Sequence, residues 1–283
     1  MNSPSEPAPK STERGKTSCL FRSVRAFVLL YLIICGLLMF FEESLIFPAP
    51  RYPQGNWSPQ LPFEDVNFSS ADGTQLHGWF FEHESPKGYL LYSHGNGDFV
   101  PNLASYAHIL RERFGYSVFI YDYRGYGKSA GSPNEAGVLA DGAAAQQWLA
   151  DRGGIGVADV VLMGRSLGGG VAVDLAANYG ARALIVESTF SSMTDTAAKL
   201  YPFVPVRLLL RTRLNSAEKI TRYQGPFFQS HGDADQLIPI ELGRKLHTAT
   251  PGPKQFYVIS GGGHNDPQPE EYYQLLGRFL DSL

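Results

Sequence analysis

Residues 161–170 read VLMGRSLGGG, and the chain runs on as VAVDLAANY to Tyr179. A short apolar run of strand length breaks at a serine set between glycines, then gives way to a stretch of helical length. Ser166 has two readings in that setting. It can be the N-cap of a glycine-rich helix. It can also be the nucleophile of a G-x-S-x-G elbow, held on a strained strand-to-helix turn that Gly164 and Gly168 are small enough to permit. In the second reading the helix N-terminus directs free N–H groups and a positive dipole end at developing negative charge, and the Leu167 N–H is the first donor.

The same alternation continues on both sides. GYLLYS, SVFIYD, ALIVES, PFFQSHG and QFYVIS are strand-like runs without clean polar alternation. Helical stretches lie between and after them, among them LASYAHILRERF, EAGVLADGAAAQQWLAD, IELGRKLHTA and EEYYQLLGRFLDSL. Strands of that kind interleaved with helices predict a parallel sheet buried on both faces. Upstream, DVNFSSADGTQLHGWFFE alternates on either side of Asp72–Gly73 and predicts a hairpin. No internal repeat is visible. In such sheets functional groups collect at the carboxyl ends of strands.

A serine hydroxyl needs a base to take its proton and a third group to orient that base. The strand PFFQSHG is followed by Asp233 and Asp235, and the last strand by a glycine-rich loop bearing His264. His231 lies at a strand end and His247 in a helical pattern, which makes both weaker candidates. A second oxyanion donor is expected from an earlier loop. LLYSHGNGD supplies the Asn96 N–H, with Gly95 and Gly97 allowing close backbone approach; His94 reads as a buttress of that loop. In YDYRGYGKSAGSP, Asp122 and Arg124 either form an ion pair shaping the rim, the expected reading, or touch substrate.

The 283 residues are 43% hydrophobic and carry a net charge of -3, enough apolar material for one large core and no general attraction for nucleic acid. Both cysteines, Cys19 and Cys35, lie near the N-terminus, so the body has neither a disulfide nor a thiolate metal site. The histidines lack ligand spacing, and a metal mechanism is not expected.

Residues 1–20, rich in Ser, Pro, Lys and Glu, read as a disordered tail. Residues 21–41, FRSVRAFVLLYLIICGLLMFF, read as a transmembrane anchor with Arg22 and Arg25 snorkelling to the interface. A cleaved signal peptide is the alternative, but this run ends in two phenylalanines and two glutamates instead of small residues. Five Lys or Arg, Arg22 and Arg25 among them, precede the uncharged run that begins at Ala26, and Glu42 and Glu43 follow the span. That bias predicts a cytoplasmic N-terminus and a body on the exoplasmic or periplasmic side. Residues 42–62 form a proline-rich linker, and residues 63–283 the folded body. An interruption at about 188–224 predicts a small cap whose PFVPVRLLLRTRL segment either covers the site or dips toward lipid headgroups.

Taken together, HGNG at 94–97, DYRGYGKS at 122–129, GRSLGG at 164–169, HGDADQLIP at 231–239 and GGGHND at 261–266 resemble the α/β-hydrolase superfamily. With the N-terminal span, the likeness is to membrane-anchored α/β-hydrolase-domain proteins of the bud-emergence type, near the serine aminopeptidase-like hydrolases. The resemblance implies a mostly parallel eight-stranded sheet flanked by helices, a Ser-Asp-His triad and no cofactor. It implies Ser166 as nucleophile, His264 as general base and acid, and Asp235 as the acid of an H-G-x-x-D-x-x-I-P pattern, with Asp233 as fallback. Leu167 and Asn96 would supply the oxyanion N–H groups.

The expected substrate is a small-molecule or lipid acyl ester or thioester. Two other functions remain open: a serine exopeptidase on short peptides, with Glu187 or Asp195 to hold a free amine, and a catalytically idle membrane-anchored binding module. The sequence specifies no oligomeric state.

Overall fold

The computed structural model describes residues 13–52 and 61–283. The chain divides into two compact units, Met1–Glu42 and Glu43–Leu283.

The first unit holds helix α1, Glu13–Phe40. Its segment Phe21–Phe40 is 20 residues long and reaches a mean hydropathy of 2.3 over an 18-residue stretch, long and apolar enough to cross a membrane. At about 1.5 Å per residue it spans about 30 Å, the thickness of a bilayer's hydrocarbon core. The helix starts inside the stretch expected to be a disordered tail, since residues 13–20 are helical. Helix propagation adds one hydrogen bond for each residue fixed, so an apolar helix extends readily into neighbouring good helix formers such as Arg14 and Lys16. The rest of the expected tail, residues 1–12, and residues 53–60 of the expected linker lie outside the described residues. A short helix, α2, covers Glu42–Ile46.

The second unit is built on eight strands: β1 (Glu64–Ser69), β2 (Gln75–Phe81), β3 (Gly88–Ser93), β4 (Tyr116–Asp122), β5 (Val161–Arg165), β6 (Ala183–Glu187), β7 (Phe227–Gly232) and β8 (Lys254–Ile259). They form one sheet in the order β1-β2-β4-β3-β5-β6-β7-β8. Only the β1–β2 and β2–β4 pairs are antiparallel. The Asp72–Gly73 turn joins β1 to β2, with Ser69 opposite Gln75 and Gly73 at φ 84°.

Helices α3 (Val100–Phe114), α4 (Glu135–Gly153), α5 (Leu167–Tyr179), α9 (Ile240–Ala249) and α10 (Glu270–Asp281) cover the sheet. Val100, Leu110, Tyr272 and Leu276 from α3 and α10 enter the core on one face. Val138, Leu149, Val171, Leu175, Leu242 and Leu246 from α4, α5 and α9 enter the core on the other. The central strands are therefore apolar on both sides, which is why β4 and β6 are buried along their whole length and why their sequences do not alternate. Each such side chain contributes about 1.5–3 kcal/mol on leaving water.

The expected cap region contains three short helices, α6 (Met193–Leu200), α7 (Val206–Leu209) and α8 (Ser216–Lys219). Asp195 at the start of α6 is a buried knot: it accepts from Ser191, from Arg207 of α7 at 3.0 Å and from Lys245 of α9 at 2.6 Å.

The expected Asp122–Arg124 pair does not form. Arg124 instead bonds Asp141 of α4 at 2.8 Å and Asp72 of the hairpin turn at 2.8 Å. Asp122, fully buried, takes the Val100 N–H at the start of α3 and the Tyr52 hydroxyl. Asp122 ends β4 and Arg124 stands in the turn after it, and their side chains leave in different directions, so adjacency in sequence did not give contact.

Candidate active site

Ser166 stands between β5 and α5 with φ 52° and ψ -117°, a backbone conformation that L-residues rarely adopt. A Cβ on Gly164 would run into the Gly168 carbonyl, and one on Gly168 into the Ser93 carbonyl. Both neighbours must therefore be glycine for the turn to close. The strained residue is fixed from behind. Its N–H donates to the Glu187 carbonyl at 2.9 Å, and its own carbonyl accepts from Thr189 Oγ1 at 2.7 Å.

The Ser166 side chain caps nothing. Its Oγ lies 3.1 Å from His264 Nε2, and His264 Nδ1 lies 2.7 Å from Asp235 Oδ2. The capping reading of the serine thus fails on geometry, because the hydroxyl points away from the helix it precedes.

Asp235 is held as firmly as the serine. Its Oδ1 accepts from the Leu237 and Ile238 N–H groups at 2.9 and 2.8 Å, leaving Oδ2 for His264. Burial alone would push this carboxyl up. Hydrogen bonds from His231, His264 and Ile238 outweigh that and hold it well below the usual carboxylate range. His231 is fully buried, with Nε2 2.8 Å from the Ile238 carbonyl, and so packs behind Asp235. The fallback Asp233 has a different job: its Oδ1 accepts the Gly261 N–H at 2.6 Å and ties the two loops together.

The loop after β3 closes against the serine: a Cβ on Gly95 would sit 3.8 Å from Ser166 Cβ. The Asn96 side chain is pinned at both ends, accepting from the Tyr126 hydroxyl at 2.7 Å and donating to the Ile46 carbonyl at 2.5 Å. Among the described residues, neither the Asn96 nor the Leu167 N–H finds a protein acceptor. His94 is a buttress: it is buried, Nδ1 lies 2.8 Å from the Gly95 carbonyl, and its ring packs 4.3 Å from that of Tyr123. Burial pushes its imidazole down, so it stays neutral. Among the described residues, no group of three His, Cys, Asp or Glu side chains converges in a way that could hold a metal ion.

The profile of the serine aminopeptidase S33 family matches residues 84–220, from β3 through the cap. A Mycobacterium tuberculosis protein of uncharacterised function is 35% identical over 253 residues, covering 87% of this chain and 90% of its own. The chain belongs to the α/β-hydrolase superfamily. The bem46 protein of Schizosaccharomyces pombe is 28% identical over 266 residues, covering 88% of this hydrolase and 89% of itself. In fold, the esterase Pf2001 of Pyrococcus furiosus superposes with a TM-score of 0.68 at 21% identity, covering 83% of the hydrolase and 98% of the esterase. Serine-hydrolase chemistry of the esterase kind is typical of this superfamily.

Two carboxylates raised as possible amine-binding groups are both occupied. Glu187 is buried, and its Oε1 accepts from Tyr106 at 2.8 Å and Gln268 at 2.9 Å. Asp195 is already paired with two cations. One residue at the site was invisible in the sequence. Arg165, in the unspecified position of G-x-S-x-G, donates from Nη2 to the His264 carbonyl at 2.5 Å. Its position in the motif was the only available signal, and a motif letter that accepts any residue carries none.

Proposed function

We propose that this hydrolase cleaves acyl esters or thioesters through an acyl-enzyme on Ser166. The observation that carries the reading is His264, whose two ring nitrogens face Asp235 Oδ2 at 2.7 Å and Ser166 Oγ at 3.1 Å. Ser166 Oγ attacks the carbonyl carbon while its proton passes to His264 Nε2. The carbonyl electron pair moves onto oxygen, and the free N–H groups of Leu167 and Asn96 receive that charge. Asp235, ionised and fixed through Oδ1, orients the ring and stabilises the imidazolium. Collapse of the tetrahedral species breaks the bond to the alcohol or thiol, which leaves with the proton from His264. Water then attacks the acyl-serine, gives its proton to His264, and the same steps release the acid and restore Ser166.

The matched family profile takes its name from aminopeptidases, but an aminopeptidase must hold a free amine. Glu187 and Asp195 are already bonded within the protein, which favours the ester or thioester reading. A complete Ser, His and Asp arrangement beside two free N–H groups also weighs against an idle binding module.

In this reading Phe21–Phe40 anchors the enzyme in a membrane with the N-terminus cytoplasmic and the body outside, as in membrane-anchored hydrolases of the bud-emergence type. The length and hydropathy of the helix and the cationic flank before it support this placement. The substrate is then a small-molecule or lipid acyl compound met at the membrane surface.

The test is fluorophosphonate labelling of the detergent-solubilised full chain, wild type beside Ser166→Ala. Turnover of p-nitrophenyl esters, acyl thioesters and aminoacyl p-nitroanilides is then compared. Labelling confined to wild type, with esters or thioesters turned over and the anilides left intact, is the expected result. Equal labelling of both proteins, or of neither when both are folded, overturns the proposal.

A further inference from the structure

Arg165 and Glu187 take no part in the chemistry just described, yet each touches both halves of the site. They face each other on one rung of the β5–β6 ladder, at the carboxyl ends of those strands. The Arg165 main chain leads directly into Ser166, while its guanidinium bonds the His264 carbonyl at 2.5 Å. The Glu187 carbonyl holds the Ser166 N–H at 2.9 Å. Its carboxylate holds Gln268, on the same loop as His264, at 2.9 Å. The histidine loop is thus fastened twice to the two residues that fasten the nucleophile.

The geometry points to Arg165 and Glu187 as positioning residues that lock the backbone of the histidine loop to the nucleophile turn. The assignment rests on the Ser166–His264–Asp235 reading above. Asp235 fixes one ring nitrogen of His264, which sets the direction of the ring but leaves its main chain unheld. That main chain follows Gly261, Gly262 and Gly263, which are held upstream at the Gly261 N–H by Asp233 and at the Gly262 carbonyl by the Ala234 N–H, so a tie on the His264 carbonyl itself acts nearest the ring. A second anchor on the backbone turns a pivot into a fixed lever, and Arg165 provides it.

A guanidinium suits the task because it is charged at any working pH and holds a planar fork of donors in place with little loss of freedom. Its charge lies opposite the buried Glu187. Burial pushes that carboxyl up, and the facing Arg165 charge opposes the shift. The second tie, from the Gln268 amide to the Glu187 carboxylate, holds the loop four residues beyond His264 and so fixes the ring less directly.

The experiment uses the full chain in detergent as Arg165→Met, Arg165→Lys and Gln268→Ala. It measures kcat and KM on p-nitrophenyl butyrate together with amide hydrogen exchange of residues 260–269. Misplacement of a reacting group by about 1 Å costs on the order of 100-fold, so Arg165→Met should lower kcat by about 30–100-fold with little change in KM. Arg165→Lys should recover part of the loss, and Gln268→Ala, which leaves the tie on the His264 carbonyl intact, should lose only a few-fold. Exchange in the loop should rise most in Arg165→Met.

Unchanged kcat in Arg165→Met, or a fall in kcat without faster loop exchange, overturns the positioning role. A wild type that turns over nothing, with the loop still loosened in Arg165→Met, refutes the triad chemistry while upholding the tie. If the loop is not loosened either, both are refuted.

Discussion

Replacing Ser166 by glycine should make the protein more stable than replacing it by alanine, although both variants lose the nucleophile. The comparison isolates the backbone, because neither variant keeps Oγ or its contact with His264. A residue with a Cβ at φ 52° and ψ -117° stores about 1–3 kcal/mol of strain. Glycine stores almost none there, but its unfolded chain is freer, which costs about 0.5–1 kcal/mol. Mid-range values favour Ser166→Gly over Ser166→Ala by about 1 kcal/mol. For a body of this size that is about 2–4 °C in Tm. Scanning calorimetry or fluorescence-monitored unfolding of the two variants in the same detergent reads the difference directly, and both should be inert to the fluorophosphonate probe. A glycine variant no more stable than the alanine variant would refute the view that the elbow is held in a strained conformation by its surroundings.

The two loop aspartates should separate cleanly: Asp235→Asn should lower kcat by about 10³–10⁴-fold, while Asp233→Asn, which loses only a tie to Gly261, should retain activity within several-fold. Below neutral pH, His94 makes stability fall. Its folded form resists protonation whereas the unfolded chain accepts a proton near pH 6.5, so stability is full above that value. As pH drops below it, up to about 1.4 kcal/mol is lost per pH unit. His247, also pushed down by burial and by Lys254 and Arg244, acts with the same sign, and unfolding curves between pH 7.5 and about pH 5 should be shallower in His94→Gln. In the cap, burial pushes the Asp195 carboxyl up, but Lys245, Ser191 and Arg207 outweigh it and bring it down to about 2. Its contribution is therefore present above the unfolded carboxylate range and fades as pH falls through about 2. Asp195→Asn should cost about 1 kcal/mol at neutral pH, since Lys245 and Arg207 are largely solvated, and urea unfolding of the variant measures it.

The order of strands and helices was legible because each element carries its own local signal. Doubly buried strands lack alternation, Asp72–Gly73 marks a hairpin, and GRSLGG marks a strand turning into a helix. Ser166 and His264, which stand at strand ends, and Asp235, which the family pattern separates from Asp233, are brought together by the fold, though they are spread over nearly a hundred positions of sequence. What stayed hidden was pairing. Arg124 was matched with Asp122 because they are close in the chain, yet its partners are 17 and 52 residues away. The Arg165 tie reaches across 99 residues to a backbone carbonyl, a partner that has no letter of its own. Periodicity reports the environment of a residue and not the identity of what it touches. The start of α1 was missed for a related reason: a polar stretch read alone gives no sign that a neighbouring helix will run into it.

The single rung joining Arg165 to Glu187 makes the site a check on how the sheet was assembled. Were β6 to slip by one residue against β5, the Glu187 side chain would turn to the opposite face. Gln268 would lose its acceptor, and the Ser166 N–H would face a different carbonyl. Misassembled molecules should then contribute almost nothing to turnover instead of working slowly. A titration of reactive serine would count correctly built molecules one by one, which gives detergent-purified preparations a direct measure of folding quality alongside their specific activity.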